Sequence, residues 1–103
     1  MIKVSVLYPN ADDARFDMQY YVDKHFPLVR EKLGAALKKT AIDEGVGGAA
    51  PGSPAPYAAI MHLFFDSVES FQAAFGPNAD AIMSDIPNYT DIEPIVQISR
   101  VKL

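Results

Sequence analysis

The stretch Tyr57–Phe65, YAAIMHLFF, is apolar on both faces of a strand except at His62. A run of this kind is typical of a central strand that is covered above and below. The chain has only 103 residues in which to build one sheet and cover both of its sides. This requirement restricts the fold more than any other feature of the chain.

Three further strands are predicted from period-two patterns. Ile2–Tyr8 alternates between apolar and mixed positions. Ala35–Val46 is a weaker candidate, and its lysines suit an edge strand because they discourage unwanted pairing. The last strand runs from about Pro94 to Val101, with proline at a tolerated position.

Helices fill two of the gaps between strands. Asp17 is predicted to cap a helix that ends at Gly34, and Phe16 and Tyr21 occupy the positions of a hydrophobic staple. Asp66 is predicted to cap a second helix that ends near Gly76-Pro77. A short third helix is expected before Pro87-Asn88, and the glycine- and proline-rich stretch 45–56 is predicted to be a loop.

The order β-α-β-β-α-β predicts an α+β, ferredoxin-like domain over residues 1–103, with an antiparallel sheet and both helices on one face. Those helices can cover only one side of the central strand. A second copy of the same sheet is the simplest cover for the other side. We therefore expect a homodimer in which two sheets face each other as an α/β barrel.

Composition excludes several classes of function. The net charge of −4 and the absence of a long basic run exclude a nucleic-acid surface. No apolar run is long enough for a membrane helix, and the N-terminus does not resemble a signal peptide. The chain has no cysteine, which excludes thiol catalysis and thiolate metal sites and fits a cytoplasmic location.

His25 lies in the middle of the apolar stripe of the first helix, where a purely structural helix would carry an apolar residue. Pro27 should kink or break this helix near Phe26. One interpretation makes His25 a general acid or base in a pocket, with Tyr8 at the end of its strand polarising a substrate oxygen. The other makes His25 a core residue that bonds a backbone carbonyl or Asp17.

Three more residues are candidates for substrate binding. Tyr20 lies beside the core stripe of the first helix, where it would edge either a pocket or the dimer contact. His62 shares a face of its strand with Phe64, and it either lines a cavity or is a buried polar group that needs a hydrogen bond. Two isolated histidines do not form a metal motif, and no nucleotide or flavin motif is present, so no metal and no cofactor are expected.

The motifs at Tyr8–Asn10 and Phe16–Gly34 resemble the EthD family, whose members often carry Y-P-x, F-D-x-x-Y-Y and H-x-P-L patterns. The resemblance implies a dimeric ferredoxin-like α/β barrel. It also implies a link to catabolism, because the family is named after a protein of ethyl tert-butyl ether degradation that accompanies a cytochrome P450 system. Members are often labelled oxidoreductases, and some fungal relatives act on aromatic polyketides as dehydratases or decarboxylases. The matching positions are Tyr8, Asp17, Tyr20, Tyr21, His25, Pro27 and Leu28.

Two functions are compatible with these residues. The first is a small cofactor-free enzyme that performs acid–base chemistry on a hydrophobic carbonyl or aromatic compound, with His25 as acid or base and Tyr8 as helper. The second is a non-catalytic ligand-binding or accessory protein of a degradation pathway. The residues do not support a self-sufficient reductase, because they contain no nicotinamide-binding motif.

Overall fold

A computed structural model describes residues 1–103 and contains one antiparallel sheet of four strands. The strands are β1 (Ile2–Pro9), β2 (Lys39–Glu44), β3 (Tyr57–Phe65) and β4 (Ile95–Arg100). Their order in the sheet is β2-β3-β1-β4, so β2 is an edge strand and β3 an interior one, as predicted. The ferredoxin-like α+β fold is confirmed.

The first helix, α1, consists of three consecutive segments: Met18–Tyr20, a π-helical turn Tyr21–His25, and Phe26–Leu33. The Asp17 carboxylate accepts a hydrogen bond from the Tyr20 amide at 3.1 Å, which confirms the predicted cap. The rings of Phe16 and Tyr21 lie 5.0 Å apart, which confirms the staple. The local signals at the start of α1 were therefore sufficient to predict how it begins.

Pro27 was expected to kink or break α1 near Phe26, and it does not break the helix. The Phe26 amide bonds the Tyr21 carbonyl five residues earlier, which widens the helix by one residue just before the proline. Pro27 then lies in the first turn of the next segment, where its missing N–H group costs little. The disturbance is a π-helical turn, and His25 is the last residue of that turn.

Two later boundaries also differ from expectation. Ser67, not Asp66, caps α2 (Val68–Phe75), because the Ser67 hydroxyl accepts from the Ser70 amide at 3.1 Å. β2 begins later than predicted, because Gly34–Ala36 forms a 3-10 turn at the end of α1. The expected third helix is α3 (Ala79–Ser84).

None of these helices combines the length and the apolar character that crossing a bilayer requires. The cytoplasmic location stays a prediction.

The register of the sheet determines which residues the helices cover. Met61 and Leu63 of β3 are buried beneath the helices and pair with Val6 and Val4 of β1. The alternate residues of β3 are only partly buried and point to the other side; they are Ala58, Ile60, His62 and Phe64. The question left open for His62 is thereby answered: it lies on the face that the helices do not cover.

Candidate functional site

A cavity of about 320 Å³ lies between the helices and the covered face of the sheet. Thirteen of its sixteen lining residues are hydrophobic, and the other three are His25, Glu93 and Pro94. The hydrophobic ones are Val4, Val6, Tyr8, Val29, Leu33, Met61, Leu63, Phe71, Phe75, Ile82, Met83, Ile86 and Val96. A cavity of this size and lining suits a small apolar molecule with few polar groups.

His25 reaches this cavity from the end of the π-helical turn and is 3% exposed. Its Nδ1 atom lies 2.9 Å from a carboxylate oxygen of Asp85, which follows α3. Asp85 also accepts hydrogen bonds from the Tyr20 hydroxyl at 2.7 Å and from the Asn88 amide at 2.9 Å. The expectation that His25 would bond Asp17 or a backbone carbonyl was wrong, since Asp17 caps α1 and Asp85 is the partner.

The surroundings of the pair determine where its proton lies. Partial burial would raise the pKa of Asp85, but hydrogen bonds from Tyr20, Asn88 and His25 together outweigh it and lower that pKa. Burial lowers the pKa of His25, while the hydrogen bond and the charge of Asp85 oppose that shift. Near neutral pH Asp85 is therefore ionised and His25 is neutral. Since a carboxylate can only accept, Nδ1 carries the imidazole proton and Nε2 has a free lone pair.

Tyrosine rings hold the imidazole in place. The ring of Tyr21 stacks on His25 at a centroid distance of 5.6 Å, and the ring of Tyr89 lies 4.6 Å from it. The hydroxyl of Tyr89 bonds the hydroxyl of Tyr8 at 2.6 Å, and Tyr8 itself lines the cavity. Burial raises the pKa of Tyr8, so this phenol keeps its proton at neutral pH.

Of the five predicted site residues, two line the cavity, one contacts the partner of His25 from outside the cavity, and two lie on the other face of the sheet. His25 and Tyr8 both line the cavity. Tyr20 is absent from the lining, but its hydroxyl holds Asp85 in position. His62 and Phe64 lie on the other face of the sheet and cannot contact a molecule in this cavity.

His62 has its own polar partners on the uncovered face. Its Nδ1 atom lies 3.0 Å from the Ser5 hydroxyl, and its Nε2 atom lies 3.3 Å from a carboxylate oxygen of Asp43. Ser5 and Asp43 belong to the strands on either side of β3, so this cluster ties three strands together. Nowhere in the chain do three or more potential metal-binding side chains come together.

Asp85 and Tyr89 were missed by the sequence analysis, although both contact His25. They lie around a 3-10 turn, Ile86–Asn88, which looked only like the end of a helix. The Tyr89 carbonyl accepts from the Asp17 amide at 2.8 Å, so the turn is tied to the start of α1. The only signal in the sequence was an acidic residue before a proline turn and an aromatic residue after it. This pattern does not show that either residue contacts His25.

Comparison with known proteins places the chain in a family. The sequence profile of the EthD domain matches residues 9–93. The chain belongs to the EthD family. An EthD-like protein from Ralstonia eutropha JMP134 has a similar crystal structure, with 43% identity, a TM-score of 0.96, and coverage of 99% of this chain and 92% of that one. No protein of curated function matches the sequence.

More distant structures share the fold of this EthD protein. An ethyl tert-butyl ether (EthD) family protein from Bacillus halodurans C-125 is 19% identical, with a TM-score of 0.68 and 99% coverage of both chains. A protein from Thermobifida fusca YX, described as dimeric and ferredoxin-like and of unknown function, is 18% identical, with a TM-score of 0.59. The match covers 97% of this chain and 90% of that chain. At these identities the likeness supports the fold alone.

Proposed function

We propose that this EthD protein is a cofactor-free enzyme that moves a proton on a small apolar carbonyl or aromatic compound. The observation that carries the proposal is the His25–Asp85 pair at the wall of a cavity whose lining is otherwise almost entirely apolar. Such a cavity accepts small apolar compounds, and desolvation disfavours any charged group for which the lining offers no partner.

In the proposed reaction, Nε2 of neutral His25 removes a proton from the carbon next to a carbonyl group. The electron pair of the broken C–H bond moves onto the carbonyl oxygen to give an enolate, and the imidazole becomes an imidazolium. Asp85, 2.9 Å away, stabilises that positive charge and fixes the ring through Nδ1. The proton returns from Nε2 to the substrate or to its product, so the enzyme ends unchanged.

Deuterium exchange of an enolisable ketone tests this proposal without knowledge of the natural substrate. Acetophenone is small enough for the cavity, and exchange of its methyl hydrogens in D₂O is followed by proton NMR. We expect the protein to accelerate exchange, and His25→Gln to lower the acceleration by about 10²- to 10⁴-fold, the usual contribution of a positioned acid or base. Glutamine can still donate to Asp85 but cannot take up the proton.

His62→Gln is the matched control, since it removes the other histidine on the far side of the sheet. It should leave the exchange rate unchanged. Equal rates with and without protein would contradict enzymatic proton transfer. If acetophenone then shifted the NMR signals of cavity residues without exchange, the ligand-binding alternative would be supported instead.

We also propose that two chains pair through the uncovered face of the sheet. The residues Ile60, Leu7 and Ile95 form an apolar row across three adjacent strands of that face, and Ile95 is 53% exposed in a single chain. The Thermobifida fusca protein with this fold is described as dimeric. A second copy would cover the row and place His62 and Phe64 at the contact.

Sedimentation velocity tests the dimer. The protein should sediment as a dimer, and Ile60→Asp should dissociate it while the circular dichroism spectrum stays that of the folded chain. Val46→Asp is the control, because Val46 is 97% exposed on the loop before β3. A wild-type monomer, or an Ile60→Asp variant that still sediments as a dimer, would contradict this interface.

A further inference from the structure

The hydroxyl groups of Tyr8, Tyr21 and Tyr89 carry more protons than the hydrogen bonds among them use. Each hydroxyl carries one proton, yet the only hydrogen bond of good geometry among the three is that between Tyr8 and Tyr89 at 2.6 Å. Tyr21 is 0% exposed, and its buried hydroxyl lies close to that of Tyr8 without making a hydrogen bond of good geometry. A buried polar group without a partner is costly and rare in folded proteins, and it calls for an explanation.

The position of the cavity supplies that explanation. Tyr8 lines the cavity, whereas Tyr21 and Tyr89 lie behind it and are absent from the lining. The rings of Tyr21 and Tyr89 pack edge-on against the ring of Tyr8, at centroid distances of 5.5 Å and 6.0 Å. When Tyr89 donates to Tyr8, the Tyr8 proton is free to be donated elsewhere, and hydrogen bonds in a chain strengthen one another.

We propose that these three tyrosines form a hydroxyl network that binds the oxygen of an enolate or phenolate ligand, with Tyr8 as the donor and Tyr89 and Tyr21 as positioning residues. The inference rests on the proposed function and narrows its substrate class. The ligand has an apolar body and one oxygen atom that gains negative charge during the reaction. His25 takes the proton on one side of the ligand, while Tyr8 stabilises the oxygen that receives the electron pair.

The class of ligand follows from which hydroxyl proton at the cavity lacks an acceptor. Tyr8 has the only one of the three hydroxyls that lines the cavity, and its proton has no acceptor when Tyr89 donates to it, which favours a ligand oxygen with free lone pairs over a hydrogen-bond donor. Burial makes each donor worth more toward a charged oxygen than it would be in water.

Two probes that differ by one hydroxyl test the network. 4-Nitrophenol, above its own pKa, presents a phenolate oxygen, and 4-nitrotoluene has the same size without that oxygen. The measured quantity is the ratio of their dissociation constants, obtained by titration for each variant. We expect a clear preference of the wild-type protein for the phenolate, together with a shift of its absorption band on binding.

The variants separate the donor from the residues behind it. Tyr8→Phe should lower the phenolate preference about ten- to hundredfold, the range for a hydrogen bond to a charged group. Tyr89→Phe and Tyr21→Phe should each lower it about threefold to tenfold, since they act through Tyr8. Tyr57→Phe is the control, because it removes a hydroxyl outside the cavity lining and should leave the ratio unchanged.

Tyr21→Phe distinguishes a positioning role from a structural one. Its buried hydroxyl makes no hydrogen bond of good geometry, so its loss should leave the melting temperature unchanged or raise it. The phenolate preference should still fall, because the Tyr21 hydroxyl lies close to that of Tyr8 and no longer polarises it. Equal binding of the two probes by the wild-type protein would overturn the network but leave the cavity as a ligand site. If neither probe binds, the proposed function fails with it.

Discussion

A histidine lies on each side of the sheet, and the two have different surroundings. His25 is buried against an apolar cavity and bonds Asp85, whose side chain is 13% exposed. His62 lies on the uncovered face and approaches Asp43, whose side chain is 61% exposed. Each pair consists of the same two residue types, so the difference in burial decides what the pair can do.

That difference has a physical basis in the cost of desolvation. A carboxylate that water reaches gains little from a nearby imidazole, because solvent screens the attraction. A carboxylate that is largely enclosed must be held by protein donors, and Asp85 has three of them. The His25–Asp85 pair is therefore fixed in geometry, as proton transfer requires, whereas the His62–Asp43 pair is held more loosely at 3.3 Å.

Substitution of each carboxylate should have a much larger effect at the cavity than on the uncovered face. Asp85→Asn keeps the shape of the side chain but removes the charge that three donors share, and we expect it to lower the free energy of unfolding by about 2 kcal/mol, as for hydrogen bonds to a charged group. Asp43→Asn should lower it by about 0.5 kcal/mol or less, because water reaches that carboxylate and screens its interactions. Urea unfolding followed by circular dichroism, at one protein concentration, measures both values.

Similar losses for the two variants would contradict the comparison. They would mean that the uncovered face holds its carboxylate as tightly as the cavity side does. A large loss for Asp43→Asn that disappears on dilution to the monomer would instead locate the effect in the contact between chains.

The covered face of the sheet was largely predictable, because its signals are local. The limits of β3, Tyr57–Phe65, follow from an uninterrupted apolar run, and the cap at Asp17 follows from its place before an apolar stripe. Where two neighbouring residues could both cap a helix, as at Asp66 and Ser67, local chemistry could not choose between them. The π-helical turn before Pro27 is likewise one of several ways in which a helix accommodates a proline.

The site was predictable only in part, because its second half is distant in the chain. His25 stood out as a polar residue in an apolar stripe, but its partner Asp85 is 60 residues away. Tyr8 and Tyr89 are separated by 81 residues and meet only because β1 ends beside the turn that follows α3. No periodic pattern records such a contact, so sequence reasoning named the base and the first tyrosine without the groups that hold them.

The pH dependence of stability provides a smaller and more specific test of the buried pair. Burial lowers the pKa of His25 in the folded chain below its ordinary value of 6.5. At pH values between the folded and the unfolded pKa, the unfolded chain therefore binds more protons than the folded one. The free energy of unfolding should therefore fall as the pH drops below about 6.5, by at most about 1.4 kcal/mol per pH unit. The lowered pKa of Asp85 adds a loss of the same sign at pH values near and below 3.8.

The measurement compares the wild-type protein with His25→Gln. The free energy of unfolding of this variant should not show the decrease that begins near pH 6.5 in the wild-type protein. An NMR titration of the imidazole signals, assigned with His62→Gln, should place the pKa of His25 below 6.5, and Asp85→Asn should lower it further because the carboxylate opposes the effect of burial. If stability instead increased as the pH fell through this range, the attraction of Asp85 would outweigh burial. His25 would then be protonated near neutral pH, and the pair would act first as an acid rather than as a base.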